Sequence, residues 1–430
     1  MPILHEHEVF MQMKRYEMPA ILSLRERARV VNDILKKRLD ILLPSVMRET
    51  GFDMWVIICH EDNYDPVFQT VIPYECWAPI LQIVVFYDQG NDKGIERLNI
   101  SRTYMHGLMV DAWDPNGTED QWECLKRVIQ ERNPKCIGIN QSEFIWAGDG
   151  ITATLKEKFI RTIGNSYQIK SAEKLCIRWL ETHIPEELIL YHQASAINHS
   201  IIKECFSRQV ITPGVTTCED LRWYYWQRVT DLGLRVSFPP FFRILRSDET
   251  KALWGEKDTV IRMGDMLHCD VGIEYMRLIV DHQELAYVLR PGEVDAPKGL
   301  IDGMAQANKL QDVFISNWRK GLTGNEILNN ALKSAKAAGI NKPKIYSHSI
   351  GHFLHEPGPL MGLPWEQVNC PGRGDVVMDY NTCYTVELSV TYPVPEWNNQ
   401  EVPFMLEQDA VFTENGVIFF DGRQESFHLV

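Results

Sequence analysis

The segment YSHSIGHFLHEPGPLMG, residues 346–362, places three histidines and one glutamate within nine positions. His348, His352 and His355 have the spacing of one helix face, which is typical of a helical zinc site. However, a glycine interrupts the run, a Pro-Gly pair follows it, and Ser349 stands where the His-Glu-x-x-His motif has its glutamate. The sequence therefore predicts that an extended segment and a loop, not a helix, present these histidines.

Two aspartates lie in MLHCDVGIEYMRLIVDHQELAYVL, residues 266–289, whose apolar runs predict a β-hairpin. Asp270 and Asp281 are 11 residues apart, and a turn at 275–276 would place them opposite each other on one face. Because two carboxylates that close repel, either one takes up a proton or a cation neutralises both. A divalent metal is the simpler explanation, and the alternative is a pair of surface acids on a solvated strand.

Two glutamates occur in segments with strand-like alternation. Glu387 lies on the polar face of YTVELSV, and Glu407 opens the first strand of FMLEQDAVFTENGVIFF, residues 404–420. The second segment reads as a hairpin with Asn415-Gly416 as its turn. Taken singly, each glutamate is explained by a solvent-facing position, so neither establishes a site alone.

In chain order, these residues resemble the metal site of the pita-bread metallohydrolases, the family of methionine aminopeptidase, aminopeptidase P, prolidase and creatinase. That family uses Asp, Asp, His, Glu and Glu, and the corresponding residues here are Asp270, Asp281, His348, Glu387 and Glu407. The 11-residue interval between the aspartates and the 7-residue interval between His348 and His355 match those of the family. The segment KECFSRQVITPGVTTCEDL, residues 203–221, resembles its helix–Pro-Gly–helix entry, and the resemblance covers residues from about 185 to 430.

The resemblance implies an α+β fold in which residues 185–430 form a pita-bread catalytic metallopeptidase domain. Residues 1–184 are expected to form an α/β domain like the N-terminal domain of prolidase and creatinase. Strand-like runs such as MWVIIC (54–59) alternate there with helical stretches, as in α/β folds. Because prolidase-like members are commonly dimers, the resemblance also implies a homodimer.

Two divalent metal ions are implied as cofactors, with manganese preferred and cobalt, zinc or iron as alternatives. By the resemblance, Asp281 and Glu407 would bridge the two ions. The remaining ligands divide between the ions, Asp270 on one and His348 with Glu387 on the other. A hydroxide bridging the ions would attack the scissile amide bond.

The same resemblance implies catalytic roles for two residues. Glu387 would carry a proton to the leaving amine, and His355 would stabilise the substrate carbonyl. His352 is predicted to be a structural or substrate-binding residue rather than a ligand. His268 lies two residues before Asp270 and shares its strand face, where it would contact substrate or support the ligand. The alternative for His268 is a histidine packed below the site.

Three departures from the family pattern concern the substrate. Leu253 lies near the position of a family histidine, Met405 stands where prolidases and aminopeptidases P have an arginine, and HQEL (282–285) replaces a Thr-Arg-Thr-like run. Because all five ligand positions match, the expected function is that of a dinuclear-metal hydrolase acting on short peptides, an Xaa-Pro aminopeptidase or prolidase-like peptidase. A creatinase-type amidohydrolase that is not a peptidase and a catalytically inactive binding member of the fold are the alternatives.

Composition excludes several other classes of function. The 430-residue chain carries a net charge of −14 and no basic stripe, which disfavours nucleic acid and anionic membranes as partners. No run reaches the ~18 apolar residues of a membrane span. The ten cysteines include no C-x-x-C pair, which favours reduced thiols and a cytoplasmic protein.

Overall fold

The computed structural model describes residues 15–430, which form two compact units. One unit is Leu22–Ile184, and the other is Pro185–Val430 together with the preceding segment that ends at Ile21. Residues 15–21 of the predicted first domain, 1–184, therefore belong to the second unit. Residues 1–14 of that predicted domain lie outside the described residues.

The first unit alternates strands with helices along the chain. Its helices are α1 (Leu24–Lys37), α2 (Leu43–Thr50), α3 (Phe68–Val71), α4 (Gln121–Arg132), α5 (Ala153–Ile163) and α6 (Glu173–Glu181), and a π-helical turn, Arg38–Leu42, joins α1 to α2. Its strands are β1 (Met54–His60), β2 (Leu81–Asp88), β3 (Ile95–Asn99), β4 (Val110–Asp111), β5 (Cys136–Ile139) and β6 (Gln168–Ser171). This order agrees with the predicted α/β layout.

A six-stranded mixed sheet of order β4-β3-β2-β1-β5-β6 forms the centre of the first unit. β1 pairs antiparallel with β2 and parallel with β5. The first six residues of β1 are all buried, because helices cover both faces of the strand. Val56 packs in one cluster with residues of α4 and α5, whereas Trp55 contacts Trp179 of α6 at a ring-centroid distance of 6.4 Å.

The second unit carries its helices between short strands. Its helices are α7 (Pro185–Cys205), α8 (Cys218–Asp231), α9 (Asp248–Trp254), α10 (Lys298–Ile315) and α11 (Gly324–Ala337). Its strands as far as the first glutamate segment are β7 (Arg235–Val236), β8 (Phe241–Leu245), β9 (Met266–Val271), β10 (Ile273–Tyr275), β11 (Leu278–Ile279), β12 (His282–Tyr287), β13 (Lys344–Ile345), β14 (Ser347–His348) and β15 (Leu360–Met361). The remaining strands are β16 (Thr382–Thr385), β17 (Leu388–Val394), β18 (Gln400–Leu406), β19 (Asp409–Thr413), β20 (Gly416–Phe419) and β21 (His428–Leu429).

Small and mainly antiparallel sheets build the core of the second unit together with α10 and α11. The two sheets that flank the predicted site have the orders β21-β12-β9-β8 and β13-β17-β18. Apolar residues of both helices pack in one cluster with residues of β17 and β18. Gly303 permits a close approach there, because a Cβ at this position would lie 2.2 Å from the Phe404 ring. Within residues 15–430, no helix is both long and apolar enough to cross a membrane.

The hairpin that carries both aspartates has a different register from the predicted one. β9 pairs with β12, and Asp270 lies opposite Gln283 rather than opposite Asp281. The turn is Met276-Arg277, one residue beyond the predicted turn, and both turn residues have positive φ, 52° and 66°. Because moving a turn by one residue moves every partner by two, Asp270 and Asp281 still face the same side of the hairpin.

The two glutamates lie where strands are interrupted rather than within continuous strands. Glu387 falls between β16 and β17, and Glu407 falls between β18 and β19. The predicted hairpin after Glu407 is present as β19 and β20, but its loop is Glu414-Asn415 and not Asn415-Gly416. The histidine segment 346–362 contains β14, bends and β15, with no helix, as predicted.

Candidate metal centre

The five side chains predicted as metal ligands come together within the second unit. Their positions are Asp270 in β9, Asp281 directly before β12, His348 at the end of β14, Glu387 between β16 and β17, and Glu407 between β18 and β19. Backbone hydrogen bonds join Gln283 to Glu407, with N···O distances of 3.0 and 3.2 Å. This bridge ties β12, which follows Asp281, to the junction that carries Glu407.

The ligand atoms form two triads that share one residue. We call Asp281, His348 and Glu407 the histidine triad, and Asp270, Glu387 and Glu407 the carboxylate triad. Within each triad, the ligand atoms lie within 4.8 Å of one another. Glu407, assigned a bridging position by the family resemblance, is the shared member. Glu387 groups here with Asp270, whereas the resemblance placed it on the same ion as His348.

Buried oxygen atoms without hydrogen-bond donors lie between the ligands. Asp281 Oδ1 and Glu407 Oε1 are buried, and no residue in the described range 15–430 donates a hydrogen bond to either. Burying a carboxylate oxygen is costly unless a donor or a cation compensates it. Four carboxylates and one imidazole also form a donor set that divalent transition metals accept. The residues present therefore fit a divalent metal ion.

Burial and mutual repulsion raise the pKa values of the clustered carboxyl groups. Burial, followed by the charge of neighbouring carboxylates, raises the pKa of Asp281, Glu387 and Glu407 well above the ordinary range. Burial likewise raises the pKa of Asp270 to about 6, and the positive charge of Arg243 opposes that rise. Without a cation, the cluster therefore holds protons that a bound cation would release.

His348 has the tautomer that a metal ligand requires. Its Nδ1 lies 3.1 Å from the Ser349 carbonyl oxygen, to which it donates, so Nε2 of the neutral ring carries no proton. Nε2 lies 4.0 Å from Asp281 Oδ2. Burial, with a contribution from His355, lowers the pKa of His348 well below the ordinary value and keeps the ring neutral.

His355 lies beside His348 but on the solvent side of the site. The two rings are 4.4 Å apart between centroids and meet edge to face at 76°. His355 is exposed, whereas His348 is buried. Desolvation of its ring, together with the charge of Arg373, lowers the pKa of His355. An exposed and neutral imidazole next to the histidine triad can donate a hydrogen bond to a molecule that enters from solvent.

His352 is held by groups outside both triads. Its Nδ1 lies 3.1 Å from the carbonyl oxygen of Arg277, in the hairpin turn, and its Nε2 lies 3.5 Å from Glu187 Oε1 on α7. The ring is half-buried. These contacts connect the histidine segment to the hairpin and to α7, and the substrate-binding role of His352 stays a prediction.

Gln283 is a site residue that the sequence patterns did not identify. Its Nε2 lies 2.6 Å from Glu387 Oε1, 2.9 Å from Glu407 Oε2 and 3.3 Å from Asp270 Oδ2. The one signal in the sequence was the replacement of the family's Thr-Arg-Thr-like run by HQEL, in which Gln283 is the second residue. Gln283 therefore contacts all three members of the carboxylate triad.

His268 and Arg243 stand behind Gln283. His268 is buried with 1% of its surface exposed, and its Nε2 lies 2.9 Å from Gln283 Oε1. Arg243 Nε donates to His268 Nδ1 at 3.2 Å, and its guanidinium also contacts the sulfur of Met405. The guanidinium of Arg243, in β8, thus lies against Met405, the residue at the family's arginine position in the sequence. His268 reaches the cluster through Gln283, and its contact with substrate stays a prediction.

Asp409 is a second residue that the sequence patterns missed. Its Oδ2 accepts a hydrogen bond from the backbone N of Asp281 at 3.0 Å and lies 3.7 Å from His282 Nε2. The side chains of Asp409 and His282 are fully buried. Asp409 therefore fixes the backbone at the point where the hairpin presents Asp281 to the histidine triad.

Solved structures with similar folds cover almost the whole chain. An X-Pro aminopeptidase from Thermotoga maritima superposes with a TM-score of 0.63 at 17% identity, covering 90% of this chain and 100% of its own. An Xaa-Pro dipeptidase from Bacillus anthracis gives 0.58 at 15% identity, with 94% and 100% covered. The N-terminal domain of the FACT complex subunit SPT16 from Cicer arietinum gives 0.57 at 11% identity, with 92% and 98% covered. At these identities, the similarity establishes the fold alone.

A family comparison adds what the fold alone does not give. No curated protein is significantly similar to the chain. The model of metallopeptidase family M24 matches residues 190–419, which is more than half of the 430 residues and contains all five ligand positions. The predicted pita-bread family, α+β fold and metallopeptidase class are thereby confirmed. The chain belongs to metallopeptidase family M24.

Proposed function

We propose that the chain cleaves short peptides at Xaa-Pro bonds, as an aminopeptidase or a dipeptidase. The observation that carries this proposal is the pair of triads that share Glu407, with His355 exposed beside them. The names of two similar structures, an X-Pro aminopeptidase and an Xaa-Pro dipeptidase, support the same substrate class. The net charge of −14 also favours a substrate with a free cationic amino group.

Two divalent ions are proposed, one for each triad, with manganese preferred and cobalt, zinc or iron as alternatives. The charge of four carboxylates balances that of two divalent cations, and His348 adds one imidazole nitrogen. When bound, such ions lower the pKa of a water molecule and polarise the scissile carbonyl. We also propose that the protein is cytoplasmic and that it assembles as a homodimer. Light scattering during size-exclusion chromatography tests the dimer.

Glu387 is proposed as the residue that moves the proton. A glutamate carboxylate in the carboxylate triad can act as a general base toward a water molecule at that triad. Without an ion in the carboxylate triad, Gln283 Nε2 donates to Glu387 Oε1 at 2.6 Å. The carboxylate takes a proton from the attacking water and passes it to the nitrogen of the leaving amine.

His355 is proposed to hold the substrate carbonyl during this step. Its neutral ring carries one N–H, and the ring lies 4.4 Å from that of His348, so the donor is close to the histidine triad. His352 and His268 are proposed to contribute to substrate binding. His352 would shape the pocket from its position against Arg277 and Glu187. His268 would act indirectly, through its hydrogen bond to Gln283.

A creatinase-type amidohydrolase of small guanidino or amide compounds is the second candidate. Met405 at the family's arginine position and Leu253 near its histidine position favour this candidate, because both losses affect substrate orientation and neither affects a metal ligand. However, the guanidinium of Arg243 lies against Met405. A cation is therefore available where the peptidases have one, and we rank the peptidase first.

The proposal is tested by metal analysis followed by a substrate panel. The purified protein is stripped, reloaded with Mn²⁺, Co²⁺ or Zn²⁺, and assayed on Xaa-Pro and Xaa-Ala dipeptides and tripeptides and on creatine. Preferential Xaa-Pro cleavage supports the peptidase. Cleavage of creatine alone supports the second candidate. A reloaded protein that cleaves none of these compounds refutes both.

The role of Glu387 is tested by Glu387→Gln, with Glu401→Gln as the matched control on an exposed carboxylate of β18. Glu387→Gln should retain much of the metal and lose turnover by about 10²–10⁴-fold, the range for a proton-transfer residue. The control should retain both. Turnover within a few-fold of the parent protein would refute the proposed proton transfer.

A further inference from the structure

The amide of Gln283 lies where the three oxygens of the carboxylate triad converge. Its Nε2 is within hydrogen-bond distance of Glu387, Glu407 and Asp270, at 2.6, 2.9 and 3.3 Å. An amide nitrogen has two N–H groups, so three acceptors compete for two donors. Each acceptor belongs to the set that could hold a cation. The positive end of the amide dipole therefore stands in for a cation among these carboxylates.

A chain of hydrogen bonds fixes which end of the amide faces the triad. Arg243 Nε always carries a proton and donates to His268 Nδ1 at 3.2 Å. His268 Nδ1 is thus the acceptor, and the proton of the neutral ring is on Nε2. That N–H donates to Gln283 Oε1 at 2.9 Å. Because the oxygen is held from behind, the nitrogen must point at the carboxylates.

In the described part of the chain, no amide donates into the histidine triad in this way. Asp281 Oδ1 and Glu407 Oε1 receive no hydrogen bond from any residue that the structure describes between 15 and 430. His348 has an unprotonated Nε2 directed at the same space. An ion entering here breaks no hydrogen bond that these two oxygens make within residues 15–430.

We propose that Gln283 is a built-in occupant of the carboxylate triad, which a metal ion must displace, so that the two triads load unequally and in a fixed order. This proposal rests on the proposed metal-binding function of the site. The first ion binds at the histidine triad. The second binds only when the amide rotates away from Glu387, Glu407 and Asp270, at the cost of its hydrogen bonds to them. Arg243 and His268 are the positioning residues of this occupant.

The test is a titration of the stripped full-length protein with Mn²⁺, followed by calorimetry and by the electron paramagnetic resonance signal of free Mn²⁺. In the parent protein, the second ion should bind at least 100-fold more weakly than the first. In Gln283→Ser, which removes the amide, the affinity for the second ion should rise at least tenfold, and the first affinity should stay within about threefold.

Two further variants keep the test decisive. Gln283→Ala removes the amide without adding a charge or a ligand, so it should also raise the second affinity at least tenfold, and it carries the test if Gln283→Ser does not fold. Gln424→Ser is the matched control, because Gln424 is another fully buried glutamine of the same unit. Its side chain bonds to the backbone N and O of Leu285 and to no metal-ligand candidate within residues 15–430. It should leave both affinities unchanged.

Two results overturn the proposal. Equal affinity for both ions in the parent protein would show that the amide obstructs nothing. A weaker second ion in Gln283→Ser and Gln283→Ala would show that the amide oxygen ligates the ion instead. Neither result depends on peptide hydrolysis. Conversely, a protein that shows the expected titrations but cleaves no Xaa-Pro peptide refutes the proposed function alone.

Discussion

Replacing Glu407 with glutamine should stabilise the metal-free protein and abolish its stabilisation by metal. The ligand oxygen of Glu407 lies within 4.8 Å of those of Asp281, Glu387 and Asp270. At an effective dielectric constant of about 20, each ionised pair at that distance repels by about 3.5 kcal/mol. Protons held by the cluster relieve part of this repulsion, so we expect Glu407→Gln to gain about 1–3 kcal/mol without metal.

The geometry favours glutamine at this position in the absence of metal. Its amide oxygen can keep the hydrogen bond that Gln283 Nε2 donates to Glu407 Oε2 at 2.9 Å. Its amide nitrogen then replaces Oε1, which has no donor in the described chain 15–430, and it belongs to the triad that contains Asp281 as an acceptor. One repulsive contact becomes a hydrogen bond, whereas both triads lose their shared ligand.

The assay is thermal unfolding with and without Mn²⁺. The parent protein should gain about 4.1 kcal/mol when free Mn²⁺ is 1,000 times its dissociation constant, and Glu407→Gln should gain almost nothing. For a unit of this size, 1 kcal/mol corresponds to a shift in Tm of about 2–4 °C, so the stability order of the two proteins should reverse on adding metal. Glu401→Gln, at an exposed position, is the control and should keep the metal-induced shift.

Either of two results would refute this reasoning. A metal-free Glu407→Gln protein less stable than the parent would mean that the carboxylates do not repel as their separation requires. An unchanged metal-induced shift in this variant would mean that Glu407 is not a ligand.

Two further predictions concern the buried carboxyl group of Asp65 and the close approach of the backbone to Gly272. Burial raises the pKa of Asp65, in the first unit, to about 7 despite hydrogen bonds from Asn140. The folded state therefore holds this proton between pH 4 and 7 while the unfolded state releases it, so stability should fall with rising pH by up to ~1.4 kcal/mol per pH unit. Asp65→Asn should lack this slope in urea unfolding at pH 5–8, and an identical slope would contradict the assignment. Gly272→Ala should lower the Tm and weaken Mn²⁺ binding, because its Cβ would lie 2.1 Å from the Val280 carbonyl oxygen, next to Asp281; an unchanged Tm and affinity would show that the hairpin yields freely.

Much of the architecture follows from local pattern. The buried run of β1 and the helices around it are visible in the alternation of apolar and charged residues, and the glycine and the Pro-Gly pair in 346–362 correctly exclude a helix. The five predicted ligand positions follow from spacing and chain order, which match a known family. These features are local, or they depend only on order along the chain.

The register of the aspartate hairpin could not be predicted from the turn residues. Met276 and Arg277 both adopt positive φ, a conformation for which Asn and Gly are the usual signals. Without such a signal, the sequence does not distinguish a turn at 275–276 from a turn at 276–277. The pairing of Asp270 with Gln283 therefore became known only from the structure.

The contacts around Gln283 depend on pairing between distant segments. Arg243 of β8 reaches His268 of β9 because these residues are direct partners in the sheet, and Gln283 meets Glu407 through an isolated bridge between positions 124 residues apart. No periodicity in the sequence records such pairings. Motifs therefore predict which residues could bind metal, whereas the side chains that contact these residues emerge only from the fold.

The central claim, that two triads sharing Glu407 hold metal, is tested most directly by anomalous diffraction from crystals soaked in Mn²⁺. At high Mn²⁺ concentration, we expect one peak in contact with Asp281, His348 and Glu407 and a second in contact with Asp270, Glu387 and Glu407. At low concentration, only the first should remain. The absence of any Mn²⁺ peak at these five residues, in crystals that bind the ion elsewhere, would contradict the account.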